Sequence, residues 1–176
     1  MTGEPAQDGL PADAGSDERA ADGGCDRHVV TLRFLAEPST VNFGGKVHGG
    51  ALMKWIDAAG YACAAVWSRQ YCVTVSVGNI QFRKPVTVGN LVEIEARIAA
   101  TGRSSMHILV TVSAGDPRSD GLERTTDCVI VFVAVDADGH PVPVPPFTPR
   151  TPHEQRLARY ATDLRQAHAQ LDAIKP

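Results

Sequence analysis

Between Asn42 and Trp67 the chain reads NFGGKVHGGALMKWIDAAGYACAAVW, a glycine-rich turn running into a helical segment. From Trp55 to Trp67 the only charge is Asp57. A helix that is apolar on every side is a buried one, so the segment predicts a core helix with no ordinary solvated face. Lys54 and Asp57 interrupt the run too early for a membrane span. Alanines and Gly60 dominate the segment, which lets a sheet curl close around its axis. Asp57 then needs a reason to be there, because an unpaired carboxylate is costly to bury.

The rest of the chain supplies that sheet. His28 to Leu35 alternates enough to be a first strand, and Ala36 to Lys46, with Pro38 and two glycines, is a loop. The helix is expected from about Gly49 to Ser68. Tyr71 to Lys84 is extended, with a bulge or bend at Gly78-Asn79, and Pro85 ends its ladder. It is long enough to bend into two sheet segments. Leu91 to Ala99 alternates strictly, with Val92, Ile94, Ala96 and Ile98 on one face and Glu93, Glu95 and Arg97 on the other. A Thr101-Gly102-Arg103 turn joins it to Ser105–Ser113 as an antiparallel hairpin. Arg124 to Val135 is continuously apolar enough to lie centrally and be covered on both faces.

The flanks differ in kind. Residues 1–26 are rich in Gly, Ala, Asp and Pro and contain no signal-peptide apolar run, so they read as a disordered leader. HPVPVPPFTP, from His140, is an extended arm. Thr151-Pro152-His153-Glu154 fits a capping box, and Leu157, Leu164 and Leu171 recur every seven residues beside Tyr160, Ala167 and Ile174. That seam is too short for a lasting coiled coil. It is read as docking on its own body or, preferentially, on a neighbouring subunit. The expected organisation is therefore a leader (1–26), a main domain (27–149) and a carboxyl-terminal helix (150–176).

The chemistry begins at HGG. Glycines there allow close backbone approach and leave free amides at a helix N-terminus, where the dipole favours developing negative charge. A carbonyl oxygen becoming an oxyanion suits Gly49. Asp57 lies eight residues further on, roughly 12 Å along the axis, too far to act on that carbonyl within one chain. Two chains packed face to face would bring the helix start of one to the acid of the other.

Asn42-x-x-Gly45-x-x-His48-Gly49-Gly50, with Asp57 seven residues after Gly50, resembles the hotdog-fold acyl-CoA thioesterases, especially the acyl-CoA hydrolase branch. VTVSVGNIQFRKPVTVGN, Val73 to Asn90, is similar to that branch's strand leading into a Phe-x-x-Pro-Val turn. The resemblance covers about residues 28–147. It implies an α+β hotdog fold, an antiparallel sheet of five to six strands wrapped round one long central helix, with the carboxyl-terminal helix added. It also implies hydrolysis of an acyl-CoA to a free acid and CoA, with no cofactor or metal. Gly49 would hold the thioester oxygen, and Asp57 from a partner subunit would act as general base or nucleophile. Asn42 would orient water, assisted by Ser76, with His48 near the thioester. Arg83 and Lys84 are the best basic pair for the CoA phosphates, with Arg103, Arg156 and Arg159 weaker candidates. Homodimers assembled into hexamers, as trimers of dimers, are the implied partners.

Plainer readings stand beside these. Asn42 and His48 could simply brace their own loop, Ser76 could be an ordinary strand serine, Asp57 could be a structural acid, and Arg83 and Lys84 could be surface charge. Burial among Trp55, Ala and Val would raise the Asp57 pKa while hydrogen bonds oppose the rise. The net charge of −3 and the lack of a basic tract exclude a nucleic-acid partner. Cys25, Cys63, Cys72 and Cys128 lack metal-ligand spacing and read as free thiols in a reducing, cytoplasmic compartment. Two other functions remain. One is a hotdog dehydratase, disfavoured because no His follows Asp57 before His107; the other is an acyl-CoA sensor, disfavoured because no DNA-binding helical pattern precedes the sheet.

Overall fold

In the computed structural model, residues 27–174 are described. The expected leader and Cys25 lie outside them. In chain order the elements are β1 (Val29–Leu35), α1 (Gly49–Ser68), β2 (Tyr71–Phe82), β3 (Leu91–Thr101), β4 (Ser105–Gly115), β5 (Glu123–Val135) and α2 (Pro152–Asp172), with one turn of 3-10 helix at Pro38–Thr40. The strands form a single five-stranded sheet in the order β1-β3-β4-β5-β2, every pair antiparallel. The sheet wraps α1 on its inner face, which is the hotdog arrangement. β2 remains one strand rather than two sheet segments.

The alternation of β3 and β4 sets the core. Val92, Ile94, Ala96 and Ile98 of β3 and Met106, Ile108, Val110 and Val112 of β4 are fully buried against α1. β5 is buried without interruption from Thr125 through Ile130, as expected of a strand between two neighbours. Close approach of helix and sheet depends on Gly60. A Cβ at that position would sit 2.8 Å from the Phe132 ring and 3.0 Å from Ile130 Cγ2.

α1 departs from the expectation of burial all round. Leu52, Ile56, Ala59, Gly60, Cys63, Ala64 and Ser68 face the sheet, while Lys54, Asp57, Ala58, Tyr61 and Val66 are exposed. The sheet is concave enough to cover only one side of the helix. The other side, apolar apart from Lys54 and Asp57, stands open beside β2, an edge strand whose Tyr71, Val75 and Val77 are also exposed.

β2 carries two irregularities, one between Thr74 and Ser76 and one between Gly78 and Gln81, the latter with Asn79 at φ 52°. The second is the expected bulge. The proline arm runs extended, pinned where the Val144 amide donates to the Arg103 carbonyl and the Trp67 indole donates to Pro145 O at 2.9 Å. α2 begins with the expected capping box. Thr151 Oγ1 accepts from the Glu154 amide, and the Glu154 carboxylate accepts from the Thr151 amide.

α2 docks on the outer face of its own sheet. Ala161 is its fully buried residue, Leu157, Ala158, Leu164 and His168 are half-buried, and Tyr160 Oη accepts a hydrogen bond from Asn79 Nδ2. The heptad is therefore used within the chain only as far as Leu164. Leu171 and Ile174 remain exposed. No helix among the described residues is long and apolar enough to cross a membrane.

Candidate active site

The start of α1 is built by the loop before it. Asn42 Oδ1 accepts from the Gly44 amide at 2.9 Å and the Lys46 amide at 3.2 Å, closing the turn that Gly45 completes at φ 72°. His48 is the N-cap of α1, its Nδ1 accepting from the Gly50 amide at 2.8 Å, and its own amide donates to Thr40 O. With Nδ1 serving as acceptor, a neutral His48 carries its proton on Nε2. The Ala51 and Leu52 amides both reach His48 O. Among the described residues, the Gly49 amide is left without an acceptor.

That amide opens on a cleft of about 340 Å³, with Asn42, Gly49, Phe82, Arg83 and Lys84 in its walls. Four of the expected site residues thus share one cavity. A side chain at Gly49 would meet nothing within 4 Å, so the backbone there faces free space. Arg83 Nε donates to Asp127 Oδ1 at 3.0 Å and Lys84 Nζ to Glu123 Oε2 at 2.7 Å. Both cations are about half exposed; Lys84 and Glu123 form an exposed pair of the kind weak enough to exchange for another anion, whereas Asp127, the partner of Arg83, is buried and is also reached by Arg124 at 3.4 Å.

Asp57 is elsewhere. It lies on the exposed side of α1, and Thr74 Oγ1 of β2 donates to its Oδ1 at 2.6 Å. Within one chain Asp57 is therefore exposed, not buried as the sequence suggested. Thr74 was not singled out from the sequence. An extra residue at Val75 sets Thr74 opposite Phe132 and Ser76 opposite Val131, so these two β2 residues face opposite sides of the sheet. Ser76 therefore lines a cavity beneath α2 and meets neither Asp57 nor Asn42. Arg103 sits in the β3–β4 turn, at the end of the sheet away from Gly49, and does not join the cleft.

Three cysteines, Cys63, Cys72 and Cys128, are free and buried. Burial pushes the Cys63 and Cys128 thiols up to about 12, and the Cys72 thiol also upward.

Residues 44–120 match the family model of the Thioesterase superfamily. Protein VdlD of Helicobacter pylori is 32% identical over 141 residues, covering 80% of this chain and 79% of VdlD. The acyl-CoA thioester hydrolase YciA of Salmonella typhimurium is 34% identical over 119 residues, 66% of this chain and 90% of YciA. Among solved structures, an apo-hexameric acyl-CoA thioesterase superposes with a TM-score of 0.81 at 29% identity, covering 85% of this chain and 96% of that one. A hexameric broad-specificity acyl-coenzyme A thioesterase, solved as a variant with one aspartate changed to alanine, gives 0.62 at 32% identity, covering 76% and 94%. The chain belongs to the hotdog-fold acyl-CoA thioester hydrolases, and it is a thioester hydrolase by that membership.

Proposed function

We propose that the protein hydrolyses an acyl-CoA at a site completed by two copies of the chain. The observation that carries this reading is the acceptor-free Gly49 amide opening on the cleft shared by Asn42, Arg83 and Lys84. A thioester carbonyl would accept from Gly49, the CoA phosphates would replace Glu123 as the partner of Lys84 and meet Arg83, and the Asn42 amide nitrogen would hold a water. Asp57 of the second copy would face the same carbonyl. Acting as base, Asp57 takes a proton as water attacks the carbonyl carbon. The C–S bond then breaks, and the departing thiolate recovers that proton. Acting as nucleophile, it would form an anhydride that water then cleaves. Preorganised donors such as the Gly49 amide are worth roughly 2.7–4 kcal/mol.

The open edge of β2 and the exposed apolar side of α1 support a symmetric pair. A long, apolar, unpaired edge strand is a template for another chain. The hexameric relatives extend this to a trimer of dimers, and the three free thiols suit a reducing compartment such as the cytoplasm. A thiol-release assay across acyl-CoAs from acetyl to palmitoyl tests the reading. Release from at least one is expected, while no release from any would leave an acyl-CoA sensor on the same fold.

A further inference from the structure

A second cavity lies away from the Gly49 cleft. It occupies about 610 Å³ between α2 and the outer face of the sheet, within the usual size range of small-molecule sites. Its floor is apolar, supplied by Val75, Val129 and Val131, with Leu164 of α2 opposite. Set into this apolar lining are Ser76, His107, Arg165 and His168.

His107 is the informative member. It is 8% exposed, yet neither ring nitrogen has a hydrogen-bond partner among the described residues. Nor is either nitrogen sealed off from the cavity that the ring lines. A polar group this deeply buried normally has a partner. Arg165, exposed on α2, borders the same cavity with no ion pair among the described residues, and no acid among the described side chains lines it. Burial and the neighbouring Arg165 charge both lower the His107 pKa, so the ring is held neutral and can donate without adding charge. The cavity therefore offers one cation, neutral donors and an apolar trough.

We propose that this cavity binds an alkyl carboxylate, its carboxylate received by Arg165 and His107 and its chain lying on the valine floor. The acyl carbon of an acyl-CoA becomes a carboxylate only on hydrolysis, so this site takes a free acid, the class of compound the proposed reaction releases, and not the thioester that enters the cleft at Gly49. The inference stands on its own geometry and does not need the proposed hydrolysis.

Photolabelling the full-length protein with a diazirine-bearing decanoate, followed by peptide mapping, tests it. Label is expected on peptides spanning residues 129–131 and 161–171. It should fall by about tenfold or more in Arg165→Leu and with the corresponding alcohol as probe, because charge-assisted contacts would be lost. Ala169→Trp, which fills the trough from the α2 side, should block labelling even if Arg165→Leu folds poorly. Label confined to residues 42–61, equal labelling by the alcohol, or labelling unchanged in both variants would overturn the proposal. So would complete absence of label, which would mean the cavity is closed in the assembled protein.

Discussion

Thr74 Oγ1 lies 2.6 Å from Asp57 Oδ1, joining α1 to the edge strand β2 at the one acid on the open side of the helix. The bond fixes the orientation of the carboxylate while leaving its second oxygen without a partner among the described residues. Asp57→Asn keeps the shape and can still accept from Thr74, but it cannot take a proton or attack a thioester. Turnover should fall about 10²–10⁴-fold, near 3–5 kcal/mol of barrier, with folding and assembly intact. Steady-state kinetics beside sedimentation checks this, and a loss within threefold would make Asp57 structural.

Thr74→Val should also slow turnover, by about ten- to a hundredfold, since a hydrogen bond to a charged group is worth roughly 1.5–3 kcal/mol. Thr74→Ser should recover most of the rate. If valine and serine behave alike, the hydroxyl has no part in holding Asp57.

The Gly49 amide can be removed without disturbing the helix. Gly49 is the first residue of α1, His48 before it is already extended at ψ 136°, and a side chain at Gly49 meets nothing. Those are the conditions under which proline is tolerated. Gly49→Pro should cost about 10²–10³ in kcat. Refolding an equal mixture of Gly49→Pro and Asp57→Asn chains should restore about a quarter of parental activity, because half the symmetric dimers are mixed and each mixed dimer has one intact site. No recovery in demonstrably mixed dimers would put both residues in the same chain's site.

The elements were legible in the sequence because their signals are local. β3 and β4 alternate with period two, Thr151 and Glu154 sit at capping-box spacing, and Gly78-Asn79 is turn chemistry within a strand. The contents of the Gly49 cleft were legible as well, through one motif before α1 and another after β2. What escaped were consequences of register and shape. The irregularity at Val75 has no residue signature, yet it puts Thr74 and Ser76, which a regular strand would show on one face, on opposite faces, so that only Thr74 meets Asp57. The apolar run of α1 says that its second side is to be covered, but not that the covering lies outside the chain.

Docking of α2 depends on a missing side chain. A Cβ at Gly78 would stand 2.4 Å from His168 Cε1 and 3.2 Å from its Nε2. Gly78→Ala should therefore force the His168 ring out of its place and loosen α2, lowering stability by about 1 kcal/mol. Faster amide exchange confined to Pro152–Asp172, together with a lower denaturation midpoint, is the expected signature, and combining the change with His168→Ala should relieve it.

Cys63 and Cys128 should resist thiol reagents at neutral pH in the native protein and react on unfolding. Because burial raises the folded pKa of each to about 12, above the ordinary thiol value of 9.0, the folded state resists losing these protons. Their contribution to stability is present below the unfolded value and is lost as pH rises from about 9 towards 12. Denaturation midpoints should fall across that window, and by less in a Cys63→Ala, Cys128→Ala variant once its lower starting stability is subtracted.

The open edge of β2 also has a kinetic meaning. On the proposed shared site, which pairs the acceptor-free amide of one chain with the acid of another, a single polypeptide would hold half of the chemistry, and the number of working sites would follow mass action. Diluted below the dissociation constant of the pair, the rate should scale with the square of total protein rather than in proportion to it. Substrate bound across the seam would pull chains together, so dilute samples should show a lag that shortens as acyl-CoA is raised.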